Sequence, residues 1–321
     1  MKTRRFVLGA IAGTVASVAL LAGAHAAEFP TKQIELIVPY AAGGGTDLVA
    51  RAFADAANRH MPQAIGVVNK TGGGGAVGLS EIMAARPDGY KIGMGTVEIT
   101  TLPHMGVARF GVDDFTAVAR LNAEPSAITV NADSPWKTVE EFLEHAKANP
   151  GKVRIGNSGT GAIWHLAAEA LAKKAGLKFN HVPYDGANPA VTALLGNHIE
   201  AVTVSPAEVS SHVAAGKLRI LAVMADQRAK TFPDVPTLKE KGHDVQVATW
   251  RGIVVPKKTP ENVVQTLRAV SKRAADEPSF RDQLAKMNLT HAYADGPEFK
   301  AAMEKDFTFF KTLMTEIGLA K

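Results

Sequence analysis

The sequence predicts an α/β protein in two halves, each built on an open, mostly parallel sheet. Three observations lead there. Apolar runs of strand length alternate with runs of helical period along the chain. A strand, a bare glycine loop and a helix start follow one another twice, about 115 residues apart. The 321 residues, 46% of them hydrophobic, are enough to fill two cores of ordinary size.

The first 26 residues belong to neither half. Lys2, Arg4 and Arg5 precede an apolar run from Phe6 to Leu21, and Ala24-His25-Ala26 offers small side chains at a cleavage site. Residues 1–26 therefore read as an export signal cut after Ala26, and Arg4-Arg5-Phe6 resembles a twin-arginine motif. Without Lys2, Arg4 and Arg5, 33 of the 36 basic residues remain against 31 acidic ones, a balance that argues against nucleic acid. There is no cysteine, hence no disulfide and no lipid-attachment thiol. No later stretch approaches the roughly 20 apolar residues of a membrane helix. A protein free in the periplasm is expected.

The first unit is Ile34 to Asp47, IELIVPYAAGGGTD. The apolar strand stops at Pro39, and three glycines lead to Thr46-Asp47 and an amphipathic run. A helix start leaves four backbone N–H groups unpartnered, with about half a positive charge, and glycines let a ligand approach them. A carboxylate or phosphate is the natural occupant. Gln63 to Asn69 reads as the next strand, Gly72 to Gly75 as a second glycine loop, Ala76 onward as a helix, and Tyr90 to Gly95 as a strand leading to Thr96.

Ala127 to Val130 is a further strand, and Thr138 with Glu141 forms a capping box for the helix that follows. After the strand Val153 to Gly156 the opening pattern returns as Asn157-Ser158-Gly159-Thr160-Gly161, then a helix ending near Gly176. A helix from Pro189 to Leu195, strands Ile199 to Val204 and Leu218 to Val223, a helix opened by Phe232 to Thr237, a strand region Val245 to Val255, and closing helices from Pro260 to Ala320 complete the chain.

Catalytic patterns fail on their spacing. Neither glycine loop continues to the third glycine of a dinucleotide fingerprint, and no phosphate loop with G-K-S/T is present. Gly156-x-Ser158 leads to Thr160 where a nucleophile elbow requires glycine, so a serine hydrolase is a near miss. The ten histidines show no zinc-binding spacing, and neither metal nor cofactor is expected. His165, in the first turn of the second helix, suits either donation to an anion or bracing of the loop. Loops rich in donors, with no evident nucleophile and base, describe a receptor rather than a catalyst.

VPYAAGGGTDLVAR (38–51), NKTGGGGAVG (69–78), PDGY (87–90), AKANPGKVRIGNSGTG (146–161), HVPYDG (181–186), SPAEV (205–209), AGKLRILAV (215–223), FPDVPT (232–237) and Trp250, in this order, resemble the Bug-type periplasmic solute receptors of tripartite tricarboxylate transporters. The resemblance implies a type II periplasmic binding protein, in which two α/β domains joined by two crossover strands hold the ligand cleft between them. Domain 1 would comprise 27–127 and 247–321, and domain 2 would comprise 128–246, with crossovers near Ile128 and Val247. It implies a monomer that gives a small carboxylate to a large and a small membrane permease subunit. The alternative is a sensory receptor presenting its ligand to a membrane kinase.

Carried onto this sequence, the first ligand loop is Tyr40, Ala41, Ala42, Gly43, Gly44, Thr46 and Asp47, supported by Gly73, Gly74 and Thr96. The second is Asn157, Ser158, Gly159, Thr160 and Gly161, with His165, Tyr184, Asp185, Gly186 and Ser205 nearby. Asp185 either accepts from a ligand hydroxyl or ammonium or points to solvent. Arg251 either pairs with a distal carboxylate or forms a rim ion pair with Glu98.

Overall fold

The computed structural model describes residues 29–184 and 186–321, so the expected export signal and Asp185 lie outside the described residues. In chain order, β1 (Ile34–Val38), α1 (Gly45–Ala57), β2 (Ile65–Asn69), α2 (Ala76–Ala84), β3 (Lys91–Thr96) and β4 (Phe115–Pro125) come first. There follow β5 (Ala127–Asn131), α3 (Val139–Ala148), β6 (Arg154–Asn157), α4 (Ile163–Ala175), β7 (Asn180–Pro183), α5 (Ala187–Leu195), β8 (Ala201–Val202), α6 (Pro206–Ala214) and β9 (Leu218–Val223). The chain ends with β10 (Ala248–Pro256), α7 (Glu261–Asp276), α8 (Pro278–Lys286), β11 (His291–Asp295) and α9 (Gly296–Glu316).

These strands make two sheets, ordered β11-β4-β10-β3-β1-β2 and β7-β6-β8-β5-β9. Strand β1 is parallel to β2 and β3, and β6 is parallel to β7 and β8. The remaining pairings, β10 with β3 and β4, β11 with β4, and β5 with β8 and β9, are antiparallel. The expected parallel order thus holds for the three strands around each glycine loop and fails beyond them. Helical crossovers impose parallel pairing only on the strands they join. Strand β10 enters the first sheet from the other half and meets no such constraint.

Strand β1 shows why the glycine loop stands where it does. Its side chains alternate between faces, and both faces are covered. Ile34, Leu36 and Val38 pack with Val49 and Phe53 of α1 and Leu267 of α7, while Ile37 packs with Leu79 and Ile82 of α2. Each such side chain contributes about 2 kcal/mol of burial. Helices on both faces leave the loops at the carboxyl ends of β1 and β3 as the accessible rim.

The passages between sheets lie side by side at Ser126 and Val247. Ser126 N–H donates to the Val247 carbonyl (2.8 Å), its hydroxyl to the Thr203 carbonyl (2.7 Å), and Met224 N–H to the Ser126 carbonyl (2.8 Å). Two elements differ from expectation. Phe232 to Thr237 opens only a short 3-10 turn, Lys239–Lys241, because Thr237 and Glu240 cap each other and Gly242, at φ +85°, ends it at once. Within the closing helical stretch, His291–Asp295 forms β11, an edge strand pairing with β4.

Candidate functional site

Helix α1 begins after Gly44, whose backbone is extended (φ −78°, ψ 165°), and no side chain caps it. Among the described residues no acceptor takes the N–H groups of Gly44, Gly45, Thr46 or Asp47. Ala41, Ala42, Gly43 and Gly44 are exposed, so these donors are approachable. Gly43 sits at φ +82°, a left-handed conformation that favours glycine.

Asp47, expected among the ligand-loop residues, has both carboxylate oxygens engaged inside the protein. It is 1% exposed and belongs to the loop's own framework. Its Oδ2 accepts from the Gly43 N–H (2.9 Å) and Arg51 Nε (2.9 Å), and its Oδ1 from Asn69 Nδ2 (2.9 Å). Asn69 Nδ2 also reaches the Tyr40 carbonyl (2.9 Å), tying the loop at both ends. Burial pushes the Asp47 carboxyl up, but the bonds from Arg51, Gly43 and Asn69 outweigh it and hold the group below the usual range.

Beside this loop, Gly73 and Gly74 lie in an exposed 3-10 turn against which Tyr40 rests; its hydroxyl is 3.4 Å from the Gly74 carbonyl. A Cβ on Gly75 would stand 2.9 Å from that hydroxyl. Burial and the Glu98 carboxylate push the Tyr40 phenol well above its ordinary value, so it remains a donor. Thr96 closes β3, is 2% exposed, and its hydroxyl has no partner among the described residues.

Arg251 is paired in register with Thr96 across β10 and β3. Its Nε donates to Thr46 Oγ1 (3.0 Å) and its Nη1 to Asn122 Oδ1 (3.0 Å), while Nη2 lies 3.2 Å from where a Gly45 Cβ would stand. Both acceptors are neutral, and Arg251 makes no ion pair among the described residues, so the expected alternative with Glu98 is not formed. A cation therefore stands beside an unpartnered helix start. Nearby, burial pushes Glu124, 2% exposed, up to about 7, against bonds from Thr290 and the field of Arg251.

The second loop uses different residues for the same task. Asn157, fully buried, accepts the Gly159 N–H at Oδ1 (3.0 Å), while its Nδ2 has no partner among the described residues. Gly159 and Gly161 sit at φ +117° and +79°. Among the described residues no acceptor takes the N–H groups of Ser158, Thr160, Ile163 or Trp164. Ser158 is half-buried and Thr160 exposed.

The Gly161 N–H, by contrast, is used internally, donating to His165 Nδ1 (3.1 Å). His165 thus braces the loop. Tyr184 N–H donates to the Asn157 carbonyl (3.1 Å), and Gly186, at φ +113°, precedes α5. Ser205, expected near the ligand, is engaged as the cap of α6, its N–H and hydroxyl donating to Glu208 Oε2 (2.8 and 3.0 Å). Burial pushes Glu208 up, against the bonds from Ser205. The spacing S-x-x-E was legible as a capping box. Asn69, Asn122, Met105 and Glu124 carried no comparable signal.

The halves meet at these loops. A Cβ on Gly161 would stand 2.5 Å from Met105 Sδ, which belongs to the turn after β3. Elsewhere, a cavity of about 400 Å³ between α4 and α9, lined by Lys173, Val245, Phe309 and Leu313, lies apart from both loops.

Residues 49–319 match the family described as the tripartite tricarboxylate transporter family receptor. The chain belongs to that family. It is 36% identical to a Cupriavidus necator protein from the gbd 5′ region, over 100% of this chain and 99% of that protein. A TctC solute binding protein from Polaromonas is similar in structure at 50% identity and TM-score 0.83, covering 90% of this chain and 99% of that one. MatC from Rhodopseudomonas palustris, with bound malate, is similar at 25% identity and TM-score 0.74, covering 89% and 99%. The TctC-family chain has the type II periplasmic binding protein fold and is a periplasmic solute-binding protein.

Proposed function

We propose that this family member captures a small organic acid, a di- or tricarboxylate or a related carboxylate, in the cleft between its halves. The ligand passes unaltered to a membrane permease of one large and one small subunit. The protein acts as a periplasmic monomer after loss of residues 1–26, with 27–127 and 247–321 closing on 128–246 as two lobes.

The observation that carries this reading is Arg251, a cation bound, among the described residues, only to neutral acceptors and standing beside N–H groups of α1 that have no partner there. A carboxylate there meets a charge and a helix dipole together. The second loop's free donors and the orphaned Asn157 amide supply the opposite wall, and closure strengthens each contact by excluding water. Malate in MatC supports the ligand class.

Thermal unfolding with a panel of mono-, di- and tricarboxylates and carboxylated aromatics tests this. A ligand at 100 times its Kd stabilises by about 2.7 kcal/mol. Gly44→Glu and Ser158→Glu, both at positions with exposed or half-exposed side-chain space, should remove the stabilisation while leaving the fold intact. Stabilisation that persisted in both variants would place the ligand elsewhere and end the proposal.

A further inference from the structure

His165, Glu169 and His181 form the one group of metal-type ligands among the described residues, their ligand atoms lying within 4.8 Å of one another. Glu169 Oε1 is 3.0 Å from His181 Nε2 and 3.7 Å from His165 Nε2, and the two rings meet edge to face at 4.6 Å. Zinc ligands in a tetrahedral site would have similar separations.

One hydrogen bond decides against the metal. His165 Nδ1 accepts the Gly161 N–H, so it carries no hydrogen. A neutral imidazole then bears its proton on Nε2, where a metal would have to sit. Metal at Nε2 would require a proton on Nδ1, set against the Gly161 N–H. The trio therefore suits a proton on the Nε2 side, facing a carboxylate.

Resting on the ligand role proposed for the second loop, we infer that Glu169 and His181 are positioning residues. They hold His165 in its Nε2–H tautomer and thereby fix Gly161 and the loop's free donors. His181 donates to the Glu169 carboxylate and keeps it in place, and the carboxylate favours the hydrogen on the His165 nitrogen nearest to it. Glu169 on α4 and His181 on β7 are the titratable groups that face His165. Without Glu169, the Nδ1–H tautomer gains. It sets N–H against N–H at Gly161, and the loop turns away.

The test uses the purified exported protein, labelled with ¹⁵N. Imidazole nitrogen spectra should show the Nε2–H tautomer for His165 in the wild type and a shift toward Nδ1–H in Glu169→Ala, with exchange of the Gly161 amide rising at least about 10-fold. Malate, used as the probe, should bind about 5- to 10-fold more weakly to Glu169→Ala, the loss of one buried hydrogen bond, and Glu169→Gln should restore most of the difference.

The deciding background is His165→Asn. There the amide oxygen takes the position of Nδ1 and accepts the Gly161 N–H with no tautomer to control, so adding Glu169→Ala should change amide exchange and affinity by less than about 2-fold. An equal cost of Glu169→Ala in both backgrounds, or an unchanged tautomer, would overturn the inference. Zinc bound by the wild type at micromolar concentration and lost in Glu169→Ala would overturn it too. A wild type that binds no malate or other carboxylate would defeat the functional reading, while the tautomer and the Gly161 amide would still decide this one.

Discussion

The first glycine loop is held by an ion and the second by a neutral ring, although the two share a backbone plan of strand, glycine turn and uncapped helix. Asp47 anchors the first, taking bonds from Gly43, Arg51 and Asn69. His165 anchors the second through one bond from Gly161. Both anchors occupy the third position of their helix, so both consume the loop N–H that lies four residues earlier. In both loops a buried acceptor stands behind the donors that remain free among the described residues. An aspartate stabilised by several donors and a desolvated histidine fill that place by opposite electrostatic routes.

Removing the stronger anchor should have the largest effect. Asp47→Ala leaves Arg51, Asn69 and the Gly43 N–H without their shared partner, and is expected to cost about 3 kcal/mol of stability and to abolish carboxylate binding. Chemical denaturation and calorimetric titration measure both. An affinity within 10-fold of the wild type would show that the loop does not need its ion.

The next largest effect separates the halves by pH. Burial, with His181 adding to it, lowers His165 from 6.5 to about 4. As pH falls from 6.5 toward 4 the unfolded chain takes up a proton that the folded ring refuses, so stability is lost, by up to about 3 kcal/mol. Glu124 in the first half acts in the opposite sense, its carboxyl being raised by burial from 4.5 to about 7. Its contribution is full below 4.5 and is lost as pH rises through 7, again by up to about 3 kcal/mol. Between pH 4.5 and 6.5 the two slopes offset each other. Relative to the wild type, His165→Asn should gain stability toward acid and Glu124→Gln should lose it, as read from unfolding midpoints across that range. Parallel profiles for all three proteins would refute the opposition.

A smaller change comes from His165→Ala, which removes a single neutral bond and is expected to cost about 1–2 kcal/mol and to weaken binding about 10-fold. If it cost more than Asp47→Ala, the ranking of the two anchors would be reversed. Arg51→Ala should have the least effect. Its guanidinium is half exposed and screened, and Asp47 retains Gly43 and Asn69, so a small fall in midpoint that shrinks further in salt is expected.

Much of the fold was legible where the signals were local. The β1 to α1 and β6 to α4 units, the Thr138 capping box and the Gly176 stop follow from glycine positions, apolar period and capping chemistry over a few residues. Strand β11, the antiparallel placement of β10 and the shortness of the turn after Thr237 were not. An edge strand of five residues has weak periodicity, and sheet direction depends on where a distant segment returns.

The sequence by itself determined two glycine-loop helix starts, their anion-friendly backbone and the order of the elements around them, because these depend on φ freedom and on hydrogen-bond groups within one turn of chain. Only the tertiary structure decided which polar side chains remain free. It turned Asp47 and His165 into internal acceptors and Ser205 into a donor to Glu208, left the Thr96 hydroxyl and the Asn157 amide without partners among the described residues, and set Arg251 against neutral oxygens. A side chain's availability depends on neighbours brought from other strands and helices, and local sequence carries no record of those distances.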